Sequence, residues 1–228
     1  MPLVSLEEAI KPVQHLFTSL KTYVCIAKKN CQNPKDDLTQ DKSASIYLYK
    51  MDFDPPPSFY QEFNSVLQSE QRDPLRPWLL HLRLFITAAY KLPSEKATIW
   101  RGVRDVDLSS NYQTGSDVTW WGVSCCTLDM EVLANEKFLG KYGMRTICCI
   151  ETEKGKKTTA HSCFRTEHEI ILILGTCLRV HSKTNPADNL HIIHLKEMML
   201  SYQPIDLLSE FLSKMKNTKK PGHDTVKK

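Results

Sequence analysis

The chain has 228 residues, a length that suits one large domain or two small ones. Charged residues make up 25% and the apolar set 41%, which is too apolar for wholesale disorder. The formal charge is +4, but residues 214–228 hold six lysines against one aspartate, so the body stands at −1 and lacks the cationic excess that nucleic-acid binding needs.

The first ninety residues read as helical. Ser5 and Glu8 form an S-x-x-E capping box, and Pro12 limits the helix it starts. Residues 41–51 carry Ile46, Leu48 and Tyr49 without Gly or Pro. Asp54-Pro55-Pro56-Pro57 is a break, because proline removes donors and restricts the residue before it. Ser58 then caps a predicted helix through Leu67. Pro77 opens the strongest helical segment, 78–91, whose apolar residues at 78, 79, 82, 85, 86, 89 and 90 follow i, i+3/i+4 spacing until Pro93.

After residue 97 the period changes. Residues 98–103, 118–127, 144–151, 169–174, 177–181 and 190–196 are short β-rich runs, with turns marked by Gly143, Gly155, Gly175 and Asn185-Pro186. One helix is predicted at about 129–139. Glu151-Thr152-Glu153 runs into Lys154-Gly155-Lys156-Lys157 and reads as a solvated hairpin turn. Helices first and an antiparallel-type β region second make the fold class α+β. A single domain is expected over 1–213, with a helical part at about 1–92 and a β-rich part at about 97–200. Residues 214–228 read as a disordered basic tail.

No run approaches the ~20 apolar residues of a membrane-spanning helix; the longest is 170–174. Glu7 and Glu8 stand where a secretory leader would have its apolar core, so a cytoplasmic protein is expected. The cysteines at 25, 31, 125, 126, 148, 149, 163 and 177 include no C-x-x-C and no zinc spacing, so reduced packing thiols and no metal are expected. There is no Gly-rich phosphate loop and no G-x-S-x-G elbow.

Three features stand out. Arg101-Gly102 ends the run T-I-W-R-G-V. Ser124-Cys125-Cys126-Thr127 ends W-W-G-V-S-C-C-T. Glu167-His168-Glu169 precedes I-I-L-I-L. If 167–169 are extended, both carboxylates share one face and can divide roles, one stabilising a positive charge and the other orienting an acceptor.

This order, with the strings at 100–103, 120–127, 167–172 and 191–197, resembles the R-S-E class of ADP-ribosyltransferases and is most similar to the arginine-specific mono-ADP-ribosyltransferases. The resemblance covers about 98–197 well and about 43–92 loosely. It implies two small sheets forming a cleft that grips NAD, or NADP, behind the helical part.

By the same resemblance Arg101 contacts the dinucleotide phosphates, which a planar guanidinium suits better than an ammonium. Gly102 permits close backbone approach. Glu169 bonds the nicotinamide-ribose hydroxyl and favours the charge that develops as the N-glycosidic bond breaks. Glu167 positions an incoming guanidinium and helps remove its proton. The family's leading serine position falls on Cys125. Either a bulge turns Ser124 inward, or Cys125 takes the place with weaker hydrogen bonding and lower activity. Trp120, Trp121 and Tyr142 either wall the nicotinamide or pack the core.

The implied activity is transfer of ADP-ribose from NAD to an exposed arginine of an acceptor protein, with release of nicotinamide. Two alternatives are an NAD glycohydrolase and a catalytically weak module that binds NAD or a protein. A monomer without nucleic-acid or membrane partners is expected.

Overall fold

The computed structural model describes residues 3–71, 73–136, 138–164 and 168–199. Glu167 and the expected basic tail lie outside them, as does the expected domain end at 213. The described residues up to Met198 form one compact unit.

Among the described residues five α-helices come first: α1 (Leu6–Ile10), α2 (Leu20–Asn30), α3 (Gln40–Lys50), α4 (Phe59–Gln68) and α5 (Leu79–Lys91). Seven strands follow: β1 (Ser94–Arg104), β2 (Asp117–Trp120), β3 (Ser124–Thr127), β4 (Arg145–Lys157), β5 (Glu169–Leu172), β6 (Thr176–Ala187) and β7 (Leu190–Glu197). The α+β class is as the sequence predicts.

The predicted caps form. Ser5 Oγ accepts from the Glu8 amide at 3.2 Å and the Glu8 carboxylate accepts from the Ser5 amide at 3.3 Å, while Ser58 and Gln61 repeat the motif on α4. Pro12 falls in a 3-10 turn, Lys11–Leu16, which keeps α1 to five residues. Helix α2 follows Ser19, whose side chain makes no capping hydrogen bond.

The helical layer closes around an aromatic core in which Phe59, Phe63 and Phe85 surround His81. The His81 ring is fully buried, stands edge-on to Phe59 at 4.6 Å, and its nitrogens have no hydrogen-bond partner among the described residues. Burial pushes its pKa down to about 3. Below about pH 6.5 the unfolded chain therefore takes up a proton here that the folded chain refuses. Stability should fall by about 1.4 kcal/mol per pH unit from there toward pH 3. His81→Phe should flatten that part of a denaturation-versus-pH curve. An unchanged slope in the variant would refute the assignment.

The strands run in the order β1-β3-β5-β4-β7-β6-β2, and β1 also pairs with β4. The four strands β1, β3, β5 and β4 thus close on one another. Arg145–Glu151 of β4 runs parallel to β7, whereas Lys156 and Lys157 pair with β5. Because β1 and β4 are long enough to serve both strand groups, the two expected sheets are joined in one hydrogen-bonded network.

Several sequence expectations are corrected. The run 118–127 is two strands with different partners, β2 on β6 and β3 on β1 and β5. They are split at Gly122, where a Cβ would lie 2.7 Å from Gln68 Nε2 of α4. The helix at 129–139 is only a 3-10 turn, Met130–Ala134. The lysine-rich turn at 154–157 is the end of β4. There Lys156 is buried and donates to the Leu92 carbonyl and Ser94 Oγ, both at 3.0 Å, just past the C-terminus of α5. Glu197 ends β7 by accepting from Thr152 Oγ1 at 2.6 Å and from the amides of Glu153 and Lys154.

Candidate active site

Two side chains of the helical layer hold Val123, the residue before β3. Asn64 of α4 accepts from the Val123 amide at 2.9 Å and donates to the Val123 carbonyl at 3.1 Å, as a neighbouring strand would. Tyr49 of α3 donates to the same carbonyl at 2.9 Å. This fixes the residue two before Cys125 and brings the C-terminus of α3 beside the chain.

A cavity of about 320 Å³ opens where the ends of α3 and α4 meet β1, β3 and the first residue of β5. Arg101, Gly102, Cys125 and Glu169 all line it. Residues 68 positions apart are brought together because Trp100 of β1 lies opposite Thr127 of β3, and Thr127 lies opposite Glu169.

The Arg101 guanidinium donates to the Cys125 carbonyl at 3.0 Å and to Tyr60 Oη at 3.2 Å. Those contacts use two of its five N–H groups. Burial works against its charge, but the Tyr60 oxygen and the neighbouring thiols outweigh it, and Arg101 is held above its ordinary pKa. Gly102 is needed for packing: a Cβ there would lie 2.9 Å from Leu139 Cβ. It therefore admits a side chain as well as lining the cavity.

Glu169 is 6% exposed. Its carbonyl accepts from the Thr158 amide at 3.2 Å, which holds the strand start in place. His168, directly before it, has φ 43°, a left-handed conformation that histidine tolerates better than most residues. The extended alternation expected through 167–169 therefore stops at His168, which is exposed, and β5 begins at Glu169.

Ser124 is buried at 7% exposure and is not among the residues lining the cavity, whereas Cys125 is. Burial and the nearby Glu169 carboxylate push the Cys125 thiol up to about 11, so it is a neutral thiol at physiological pH.

A cation completes the site, and the sequence reading missed it. Lys50 ends α3, and its side chain is only 7% exposed. Its ammonium is ion-paired to the Glu169 carboxylate and lies 3.1 Å from Cys125 Sγ. Burial opposes the charge, but Cys125 and Glu169 outweigh it and raise the Lys50 pKa. Cys163 covers the backbone here by donating its thiol to the Lys50 carbonyl at 3.3 Å.

Tyr60, Trp100, Phe138 and Phe164 line the cavity. Of the three rings left open between wall and core, Trp120 packs on the sheet core and donates to Tyr112 Oη at 3.0 Å, while Trp121 and Tyr142, 46% and 84% exposed, do neither. Among the described residues no group of three or more His, Cys, Asp or Glu side chains could hold a metal ion, and no helix is long and apolar enough to cross a membrane.

The architecture is that of the mono-ADP-ribosyltransferases. Vis, an ADP-ribosyltransferase from Vibrio splendidus solved with agmatine, superimposes with a TM-score of 0.59 at 15% identity, over 88% of this chain and 89% of that one. For HopU1 of Pseudomonas syringae pv. tomato the TM-score is 0.61 at 15% identity, over 77% and 87%. A mutant of the eucaryotic mono-ADP-ribosyltransferase ART2.2, solved with NADH, gives 0.62 at 16% identity, over 86% and 85%. No family model and no curated protein sequence matches the chain. At these identities the likeness is one of fold.

Proposed function

We propose that the chain binds NAD in this cavity and transfers its ADP-ribose to the guanidinium of an acceptor arginine, releasing nicotinamide. The convergence of the Arg101 guanidinium and the Glu169 carboxylate on one cavity of about 320 Å³ carries the reading. A guanidinium with free donors suits a diphosphate, and a buried carboxylate suits a ribose that becomes cationic.

In the proposed reaction Arg101 holds the diphosphate and Glu169 accepts a hydrogen bond from the nicotinamide-ribose hydroxyl. The N-glycosidic bond breaks with its electron pair leaving on nicotinamide. The ribose carbon becomes oxocarbenium-like, and Glu169 stabilises that charge. A guanidinium nitrogen of the acceptor then forms the new C–N bond and loses a proton, a step assigned to Glu167. Gly102 lets Leu139 pack closely against β1. The Cys125 thiol orders Glu169 only weakly, because sulfur is a poor hydrogen-bonding atom, and Ser124 has no proposed contact with substrate.

Arginine as acceptor rests on the E-x-E pattern, and the agmatine bound by Vis, itself a guanidinium compound, supports it. NADP as an alternative donor and a monomeric, cytoplasmic protein remain part of the proposal. A second reading, a module that binds NAD with little turnover, is favoured by the ion pair that already occupies Glu169.

Incubation with NAD labelled in its adenylate and an arginine-rich acceptor should give labelled acceptor and nicotinamide in equal amounts. Nicotinamide without labelled acceptor would mean hydrolysis. Bound NAD with neither product would establish the weak module.

A further inference from the structure

A buried lysine beside the acid meant to stabilise a cation is an electrostatic contradiction, and it sets what this cavity can hold. Glu169 alone would attract a positive ring. Lys50, at 7% exposure and ion-paired to it, cancels that attraction. Among the described residues that line the cavity, the only other charges are Arg101 and the exposed Asp52, so no unpaired buried carboxylate faces a positive ring. Charge pairs at this depth are screened far less than at the surface.

We infer that Lys50 is a specificity-determining residue of this cleft, shifting its preference from NAD+ toward dinucleotides without a cationic ring, namely NADH and ADP-ribose. The inference rests on the proposed function, because it assumes that the cavity holds the nicotinamide end of a dinucleotide. NAD+ and NADH differ in this respect by one unit of ring charge, on nearly the same shape. Against a free carboxylate the charged ring gains; against a carboxylate already paired to an ammonium it gains nothing. The same cancellation slows glycosidic cleavage, since the cation forming on the ribose meets a carboxylate whose field is already neutralised.

Calorimetric titration of the intact chain with NADH, ADP-ribose and NAD+ tests this. The unmodified protein should bind NADH and ADP-ribose more tightly than NAD+. In Lys50→Met the ratio of NAD+ to NADH affinity should rise by about tenfold, an order of magnitude expected for removing one nearby buried charge. Nicotinamide release should rise with it, and Lys50→Arg, which keeps the charge, should retain the original preference. An unmodified protein that prefers NAD+ would overturn the inference, and that result needs no variant. So would a ratio unchanged in a folded Lys50→Met. Failure of all three compounds to bind would overturn the proposed function itself, and the inference with it.

Discussion

Glu169→Gln should lower the rate of nicotinamide release by about 100- to 1,000-fold, the loss typical of removing one preorganised group that stabilises transition-state charge. The amide keeps a hydrogen-bonding oxygen on the ribose but has no charge to set against the forming cation. Dinucleotide binding should change far less than turnover. Stability should fall as well, because Lys50 is left as a buried ammonium without its carboxylate; removing one partner of a buried pair costs about 3–5 kcal/mol. The two effects separate in the double variant Lys50→Met/Glu169→Gln, which should recover most of the melting temperature and none of the turnover. Single-turnover assays with a thermal melt check both, and because the Lys50 pair slows the parent, Lys50→Met is the more sensitive background. A Glu169→Gln protein as fast as its parent would remove Glu169 from the chemistry.

Arg101→Lys should weaken NADH binding by about ten- to a hundredfold, although the charge is kept. The guanidinium has a fixed fork: two of its N–H groups already meet the Cys125 carbonyl and Tyr60 Oη, and its plane can present others to a diphosphate. An ammonium has three donors at one point and cannot do both. A charge-assisted hydrogen bond contributes about 1.5–3 kcal/mol, which sets the size of the loss. Calorimetry measures the affinity, and a melt taken alongside reports the loss of the structural contact to β3. Unchanged affinity in a stable variant would mean that Arg101 serves only to hold β3.

How much of this was legible in the sequence depends on which physical level decided each feature. Strand starts and helix caps were local. Ser5 and Ser58 act within one turn of their own chain and cap α1 and α4, whereas Pro77 falls inside a 3-10 turn, Asp73–Trp78, that leads into α5. Arg101 and Glu169 were legible as a pair only through the resemblance, since no spacing rule relates residues so far apart. Strand register brings them together. Trp121-Gly122-Val123 misled because it reads as the middle of a strand. Its pairing goes to Asn64 and Tyr49, side chains of the helical layer that no period can reveal.

Lys50 was invisible for a related reason. A lysine in the last turn of a helix is what the helix dipole favours at any surface, so its type and place carry no sign of burial. Only the placement of the C-terminus of α3 beside Val123, Cys125 and Glu169 turns it inward. The same holds for the aromatic walls. Trp120, Trp121 and Tyr142 sit next to the quoted motifs, but the rings that line the cavity come from α4, β1 and the segments before β4 and β5. The alternation expected at 167–169 failed at a single backbone angle, that of His168.

A crystal structure of the chain with NADH bears most directly on the proposal that one cavity grips a dinucleotide between Arg101 and Glu169. The account predicts the diphosphate within hydrogen-bonding distance of the Arg101 guanidinium, and the nicotinamide ribose against Glu169, with Lys50 beside the uncharged ring. A dinucleotide bound elsewhere, or bound here with its ribose remote from Glu169, would contradict it.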